Sequence, residues 1–169
     1  PELGRTVGEE LLTPTRLYVK PIRSLLAAIA PGAIHGLANV TGGGLPDNVG
    51  RILPPGKRVI VQRSAWSVPP VFAWLQKLGN VADAEMFRVF NMGIGMVAVV
   101  APDAVADLSR RFAAADQRAL PIGRVAHVLH PGARLRIVDD DAVPGVLEGL
   151  RVATVVIVVD PPLGLARPL

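Results

Sequence analysis

Three consecutive glycines, Gly42, Gly43 and Gly44, separate an apolar stretch (residues 33–40) from a segment with helical character (residues 45–53). Residues without a Cβ let successive N–H groups converge on an anion. The order strand, glycine loop and helix N-terminus is typical of phosphate or carboxylate binding through backbone donors. The run has neither the Gly-Lys-Ser/Thr of a P-loop nor the GxGxxG spacing of a dinucleotide fold. Two interpretations remain open, an anion-binding loop and a flexible turn.

The composition indicates one folded domain with a sizeable core. Half of the 169 residues are hydrophobic and 19% are charged, which argues against disorder over most of the chain. Mean hydropathy is +0.41, but no apolar run reaches the roughly 18 residues that cross a bilayer, so we expect no membrane partner. The sequence has no cysteine, which excludes disulfide bonds and thiol chemistry, and we expect a cytoplasmic protein.

The basic character of the chain does not point to nucleic acid. The net charge is only +4, and the arginines, such as Arg16, Arg88 and Arg151, are scattered. Tyr18 is the only tyrosine, and no basic run is interleaved with aromatic residues, so we expect no nucleic-acid partner. Because the first residue is Pro1 and not Met, we expect a fragment or a processed chain.

Periodicity and turn signals predict a layered α+β domain in which a mixed sheet packs against helices. Residues 1–13 are polar enough for a loop or for the end of a longer element. The predicted strands are residues 35–40, 58–62, 97–100, 122–129 and 133–138. Besides the segment after the glycines, the predicted helices span residues 17–30, 71–78, 82–90 and 103–115.

The last part of the chain divides into a predicted hairpin and an unassigned tail. His130-Pro131-Gly132 predicts a turn that joins the last two strands as a hairpin. We assign residues 1–138 to the domain and residues 139–169 to the tail. Within the tail, residues 152–159 are apolar, and three alternatives stay open: an edge strand, a surface packed on another domain, or an ending without function.

Four sequence blocks occur in a fixed order: LLTPTR (residues 11–16), TGGGL with Asn48 and Arg51, VFAWLQ (residues 71–76) and FNMGIG (residues 90–95). Together they closely resemble the C-terminal domain of the phosphoribosylformylglycinamidine cyclo-ligase family, also called AIR synthetase. The resemblance covers about residues 6–138 and does not include the tail.

The resemblance implies a ligase of purine biosynthesis that uses ATP and Mg²⁺. Members convert formylglycinamidine ribonucleotide to 5-aminoimidazole ribonucleotide, by phosphorylation of the formyl oxygen and attack of the amidine nitrogen. The family forms homodimers of two-domain subunits in which the N-terminal half binds most of the ATP. Because this sequence lacks that half, we expect it to be inactive alone.

Two positions depart from the family pattern. The family usually has a histidine two residues before Thr41, where this chain has Asn39, and the nearby His35 is not at the matching position. The acidic residue before Asn48 is usually glutamate and is Asp47 here, one methylene shorter. These changes leave a histidine contact in doubt and shorten the reach of the carboxylate.

The candidate site consists of donors and small residues, and no catalytic residue is assigned. Each position also has a structural interpretation: a strand end for Thr41, a helix N-terminus for Asp47 and Asn48, and a turn for Asn91. If chemistry occurs here, it relies on electrostatics and positioning rather than on a nucleophile. The predicted substrate- and phosphate-binding residues are Thr41, Gly42, Gly43, Gly44, Asp47, Asn48, Asn91 and Gly93.

Other chemistry-bearing side chains favour structural roles. Trp66 and Phe72 fit core packing better than base stacking. His127 and His130 lack a third ligand at suitable spacing, so no metal site is predicted. Residues 139–141, three aspartates, fit a solvated linker better than a cation site.

Two alternatives to the cyclo-ligase remain. One is a related enzyme of the same superfamily, such as selenophosphate synthetase or thiamine-monophosphate kinase, for which we expect a different glycine loop and no Phe-Asn-x-Gly-x-Gly block. The other is a non-catalytic binding or dimerisation module left after loss of the ATP-binding half. An upstream domain with acidic Mg²⁺ ligands would favour the enzyme.

Overall fold

A mixed six-stranded sheet in the order β1-β3-β6-β4-β2-β5 forms the centre of the molecule. The structure, a computed structural model, describes residues 3–115, 117–127, 132–139 and, for the backbone only, 154–159. The strands are β1 (Ile34–Asn39), β2 (Lys57–Gln62), β3 (Ile94–Val100), β4 (Arg118–His127), β5 (Leu135–Val138) and β6 (Thr154–Val159). The helices are α1 (Val7–Leu11), α2 (Val19–Ala28), α3 (Gly44–Arg51), α4 (Pro70–Gly79), α5 (Asp83–Val89) and α6 (Val105–Ala114).

Helices cover both faces of this sheet, which confirms the predicted layered α+β class. Side chains alternate between the two faces along a strand. In β3, Val97 and Val99 belong to a large core under α3 and α5, whereas Ala98 and Val100 belong to a smaller core with α2 and α6. The candidate loops all lie on the side of the larger core.

The predicted hairpin between the last two strands of the domain is wrong. β5 pairs in parallel with β2, with Leu135 opposite Val59, and β4 pairs antiparallel with the other edge of β2. This pairing buries Leu135 in the large core beside Val59 and Val61. The turn signal was local, and the gain from non-local burial outweighs it. Of the predicted turn, His130 and Pro131 lie outside the described residues.

The tail contributes an interior strand, which rules out the edge strand among the three alternatives for residues 152–159. The backbone of β6 pairs antiparallel with β3 on one side and with β4 on the other. A continuous apolar run is typical of strands in sheets that are covered on both faces. Of the remaining tail, the structure describes only Asp139.

Within residues 1–13, for which a loop was one of two interpretations, residues 7–11 form the short helix α1. Thr6 is its N-cap: the Thr6 hydroxyl accepts from the Glu9 N–H, and the Glu9 carboxylate accepts from the Thr6 N–H. This reciprocal pair is a capping box, and its Thr-x-x-Glu signal was readable in the sequence. None of the helices in the described part of the chain is long and apolar enough to cross a membrane.

Candidate functional site

The glycine loop (residues 41–44) joins the end of β1 to the start of α3. The Val40 N–H donates to the Gly95 carbonyl at 2.9 Å, and Asn39 lies opposite Met96 in the β1–β3 ladder. The loop therefore lies at the end of the sheet where β3 begins. The Asn91 turn, which leads into β3, lies near the same end of the sheet.

The Asn48 side chain fixes the orientation of the glycine loop. Its amide Nδ2 donates to the carbonyls of Thr41, Gly42 and Gly44, at 3.3, 3.2 and 2.7 Å, and the side chain is buried. In a trans peptide the C=O and N–H groups point in opposite directions. Because the Thr41 and Gly42 carbonyls face Asn48, the Gly42 and Gly43 N–H groups face away from it. Neither N–H donates to another described group.

Because Gly44 has no side chain, the loop packs closely against the end of α5. A Cβ on Gly44 would stand 2.1 Å from the Phe87 carbonyl oxygen and 2.9 Å from that of Phe90. Its φ of +57° is also a conformation that side chains disfavour. Gly42 differs, because a Cβ there would meet no atom within 4 Å and its φ is not positive. One glycine thus serves packing, and the other leaves open space at the surface.

Asp47 brings a negative charge to the loop. It lies in the first turn of α3, where a carboxylate complements the helix dipole. A Cβ on Gly43 would stand 2.7 Å from Asp47 Oδ2, so the carboxylate covers one side of the loop. An anion at the Gly42 and Gly43 N–H groups therefore requires that Asp47 turns away or that a cation accompanies the anion.

The second candidate element is the Asn91 turn (residues 90–93), which leads into β3. Asn91 Oδ1 accepts from the Gly93 N–H at 3.0 Å, and the Asn91 carbonyl accepts from the Ile94 N–H at 2.9 Å. The buried Trp66 Nε1 donates to the Met92 carbonyl at 3.0 Å, which confirms a packing role for Trp66. The Asn91 amide Nδ2 donates to no described group and stays available.

Asn91 and Gly93 line a groove of about 350 Å³ between residues 10–15 and α4. Three of the four sequence blocks meet there, since residues 11–16, 71–76 and 90–95 all supply lining side chains or backbone. The apolar walls include Phe72 and Phe90, whose ring centroids are 5.8 Å apart. The groove therefore combines apolar walls with a few polar groups, as small-molecule sites do.

The structure divides the predicted site into two places. The residues from Thr41 to Asn48 do not line the groove, because the backbone of Phe87 and Phe90 packs against Gly44. Sequence reasoning missed the other polar groups of the groove, which are Glu10, Thr13 and Thr15. The adjacent LLTPTR block was the available signal, but the groove that it lines with Asn91 joins segments that are distant in sequence.

The described residues do not form a metal site. No group of three or more His, Cys, Asp or Glu side chains among them is arranged to hold a metal ion. His127 instead contacts the Lys57 side chain on the neighbouring strand. His130 and two of the three tail aspartates lie outside the described residues, so the predictions for them are untested.

These features define an α+β domain with a backbone donor loop and a separate polar groove. A family model described as AIR synthase related protein, C-terminal domain, matches residues 1–135. The match covers most of the chain, and the chain therefore belongs to this family. The family consists of ATP-using enzymes of the ligase and kinase type.

Proposed function

We propose that this chain is the C-terminal domain of a phosphoribosylformylglycinamidine cyclo-ligase, which closes the imidazole ring of 5-aminoimidazole ribonucleotide. The substrate class is a ribonucleotide with one phosphate, and the glycine loop binds that phosphate. The proposal includes the features that the resemblance implies: a cytoplasmic homodimer of two-domain subunits, with ATP and Mg²⁺ held mainly by an N-terminal half.

One observation carries the proposal, which is the outward orientation of the Gly42 and Gly43 N–H groups. Asn48 holds the loop carbonyls on the inner side before any ligand arrives. The N–H donors are therefore oriented before a phosphate binds, whereas the Asp47 carboxylate must turn away or be paired with a cation. The donors lie at the N-terminus of α3, where the helix dipole favours negative charge. The Thr41 hydroxyl donates to Asn48 Oδ1 at 3.3 Å and supports the same geometry.

The contribution of this chain to the reaction is binding and orientation. The site residues offer N–H and amide donors and no nucleophile, and effective ring closure depends on holding the two ends of the substrate together. The described residues do not fit a Mg²⁺ site, so no step assigned to this chain passes through the metal.

Gly42 provides the sharpest test because its substitution causes neither a clash nor backbone strain. We expect Gly42→Asp to abolish calorimetric binding of formylglycinamidine ribonucleotide, since a carboxylate would face the phosphate. The matched control is Gly42→Asn, which has the same shape without the charge, and we expect it to retain most of the affinity. Circular dichroism checks that both variants fold.

Two results would contradict the proposal. Equal affinity of the aspartate and asparagine variants would show that the phosphate does not bind at the loop. Tighter binding of thiamine monophosphate than of formylglycinamidine ribonucleotide by the unchanged chain would favour a related enzyme of the same superfamily.

A further inference from the structure

Glu10 is a buried acid that the proposed phosphate site does not use. Its side chain is only 7% exposed, although it lies on a short helix near the start of the chain. A buried carboxylate is costly unless it is paired. Glu10 Oε2 accepts one hydrogen bond from Arg5 Nε at 2.5 Å, so the ion pair is not bidentate. Arg5 Nη2 is buried without a hydrogen-bond partner.

The partial pairing leaves hydrogen-bonding capacity in the groove. A carboxylate has about four acceptor positions, and the described residues supply only the Arg5 contact to Glu10. Asn91 also lines this groove, and its Oδ1 accepts a hydrogen bond from the Gly93 N–H. Its orientation is therefore set, and the amide Nδ2 remains as a donor. The groove thus offers one strong acceptor and one oriented donor.

An acceptor and a donor between apolar walls select a particular kind of ligand group. The group must be planar and small, with N–H groups for Glu10 and an oxygen for Asn91. The rings of Phe72 and Phe90 supply apolar contact for such a planar group. Amidine and formamide groups have these properties together, whereas a phosphate would meet the Glu10 charge.

We propose that the groove binds the amidine and formamide end of the substrate, with Glu10 accepting from the amidine N–H groups and the Asn91 amide donating to the formyl oxygen. This inference rests on the proposed function, because it assigns the second end of the same ribonucleotide. Glu10 is then a binding residue for the reacting end, and the glycine loop remains the phosphate site.

The test compares two ligands on the full 169-residue chain, formylglycinamidine ribonucleotide and ribose 5-phosphate, which lacks the amidine end. We expect Glu10→Gln to weaken the ribonucleotide at least about tenfold, because it removes a hydrogen bond to a charged acceptor. Ribose 5-phosphate should bind unchanged. The control is Glu9→Gln, which keeps the capping box of α1 and should alter neither affinity.

A second variant separates ligand contact from folding. Arg5→Gln breaks the ion pair and keeps the Glu10 carboxylate, so the ribonucleotide should still bind. Equal losses in Arg5→Gln and Glu10→Gln would overturn the inference, because the effect would then be structural. Unchanged ribonucleotide affinity in Glu10→Gln would also overturn it.

Two results distinguish a failure of the groove inference from a failure of the phosphate site at the glycine loop. If the unchanged chain binds ribose 5-phosphate as tightly as the ribonucleotide, the groove inference fails and the loop proposal stands. If Gly42→Asp has no effect while Glu10→Gln weakens the ribonucleotide, the groove inference stands and the loop proposal fails.

Discussion

The glycine loop and the Asn91 turn use the same two residue types for opposite purposes. In the loop, the Asn48 amide donates to backbone carbonyls, and the N–H groups of neighbouring glycines face outward. In the turn, the Asn91 side-chain oxygen Oδ1 accepts from the Gly93 N–H, and the side-chain Nδ2 stays available as a donor. The first arrangement presents backbone donors, and the second presents a side-chain donor.

This difference shows that composition alone does not determine what an Asn-Gly segment offers a ligand. The decisive feature is which atom of the asparagine the backbone uses. In physical terms, a loop whose carbonyls are paired internally becomes a site for anions. A turn whose N–H is paired internally leaves an amide donor for a ligand oxygen.

The largest expected effect lies within the loop itself. Gly44→Ala should lower the free energy of unfolding by at least about 3 kcal/mol, because the new methyl meets the Phe87 carbonyl and the positive φ adds strain. Gly42→Ala should change it by less than about 1 kcal/mol. Urea denaturation measures both values. Equal losses of stability in Gly44→Ala and Gly42→Ala would show that Gly44 is not required for the packing of the loop against α5.

The same substitution in the two regions should have unequal results. Asn48→Asp removes the donor to three carbonyls and should cost about 2–4 kcal/mol of unfolding free energy. Asn91→Asp keeps the acceptor for the Gly93 N–H and should stay within about 0.5 kcal/mol of the unchanged chain. Chemical denaturation measures the free energy of unfolding of both variants. A larger loss of stability in Asn91→Asp than in Asn48→Asp would contradict the comparison.

The smallest effect concerns the ion pair between Arg63 and Asp83, the first residue of α5. The Arg63 guanidinium donates a hydrogen bond to the Asp83 carboxylate, and this bond lowers the pKa of Asp83 below the ordinary value. The pair therefore stabilises the fold above the unfolded-state pKa, and this contribution disappears as pH falls through the lower folded-state pKa.

Because both side chains are more than 40% exposed, we expect Asp83→Asn to cost less than about 0.5 kcal/mol at pH 7. The difference between this variant and the unchanged chain should vanish at pH 2 in thermal unfolding experiments. A difference that persists at pH 2 would assign the effect to packing near Phe87, whose ring lies 5.1 Å from the Arg63 guanidinium carbon.

The sequence was sufficient for the class and for most element positions, because the periodicity and the turn residues are local signals. The partner of β5 was not readable, since the His-Pro-Gly turn suggested β4 and the burial of Leu135 favours β2. The position of β6 depends likewise on its two non-local neighbours.

The candidate site was predictable only in part. The glycine run indicated backbone donors, but the role of Asn48 as the anchor depends on three hydrogen bonds that no spacing rule specifies. Glu10 was missed because the groove that it lines with Asn91 joins segments about 80 residues apart in the sequence. The Thr6–Glu9 capping box, by contrast, was visible and would have located α1.

The most direct measurement is an amide-resolved NMR titration of the ¹⁵N-labelled chain with formylglycinamidine ribonucleotide. The account predicts that the largest shifts occur at the Gly42 and Gly43 N–H resonances and saturate with one ligand per chain. Ribose 5-phosphate should move the same two resonances. Saturating shifts elsewhere, with the Gly42 and Gly43 resonances unmoved, would contradict the claim that the glycine loop binds the phosphate.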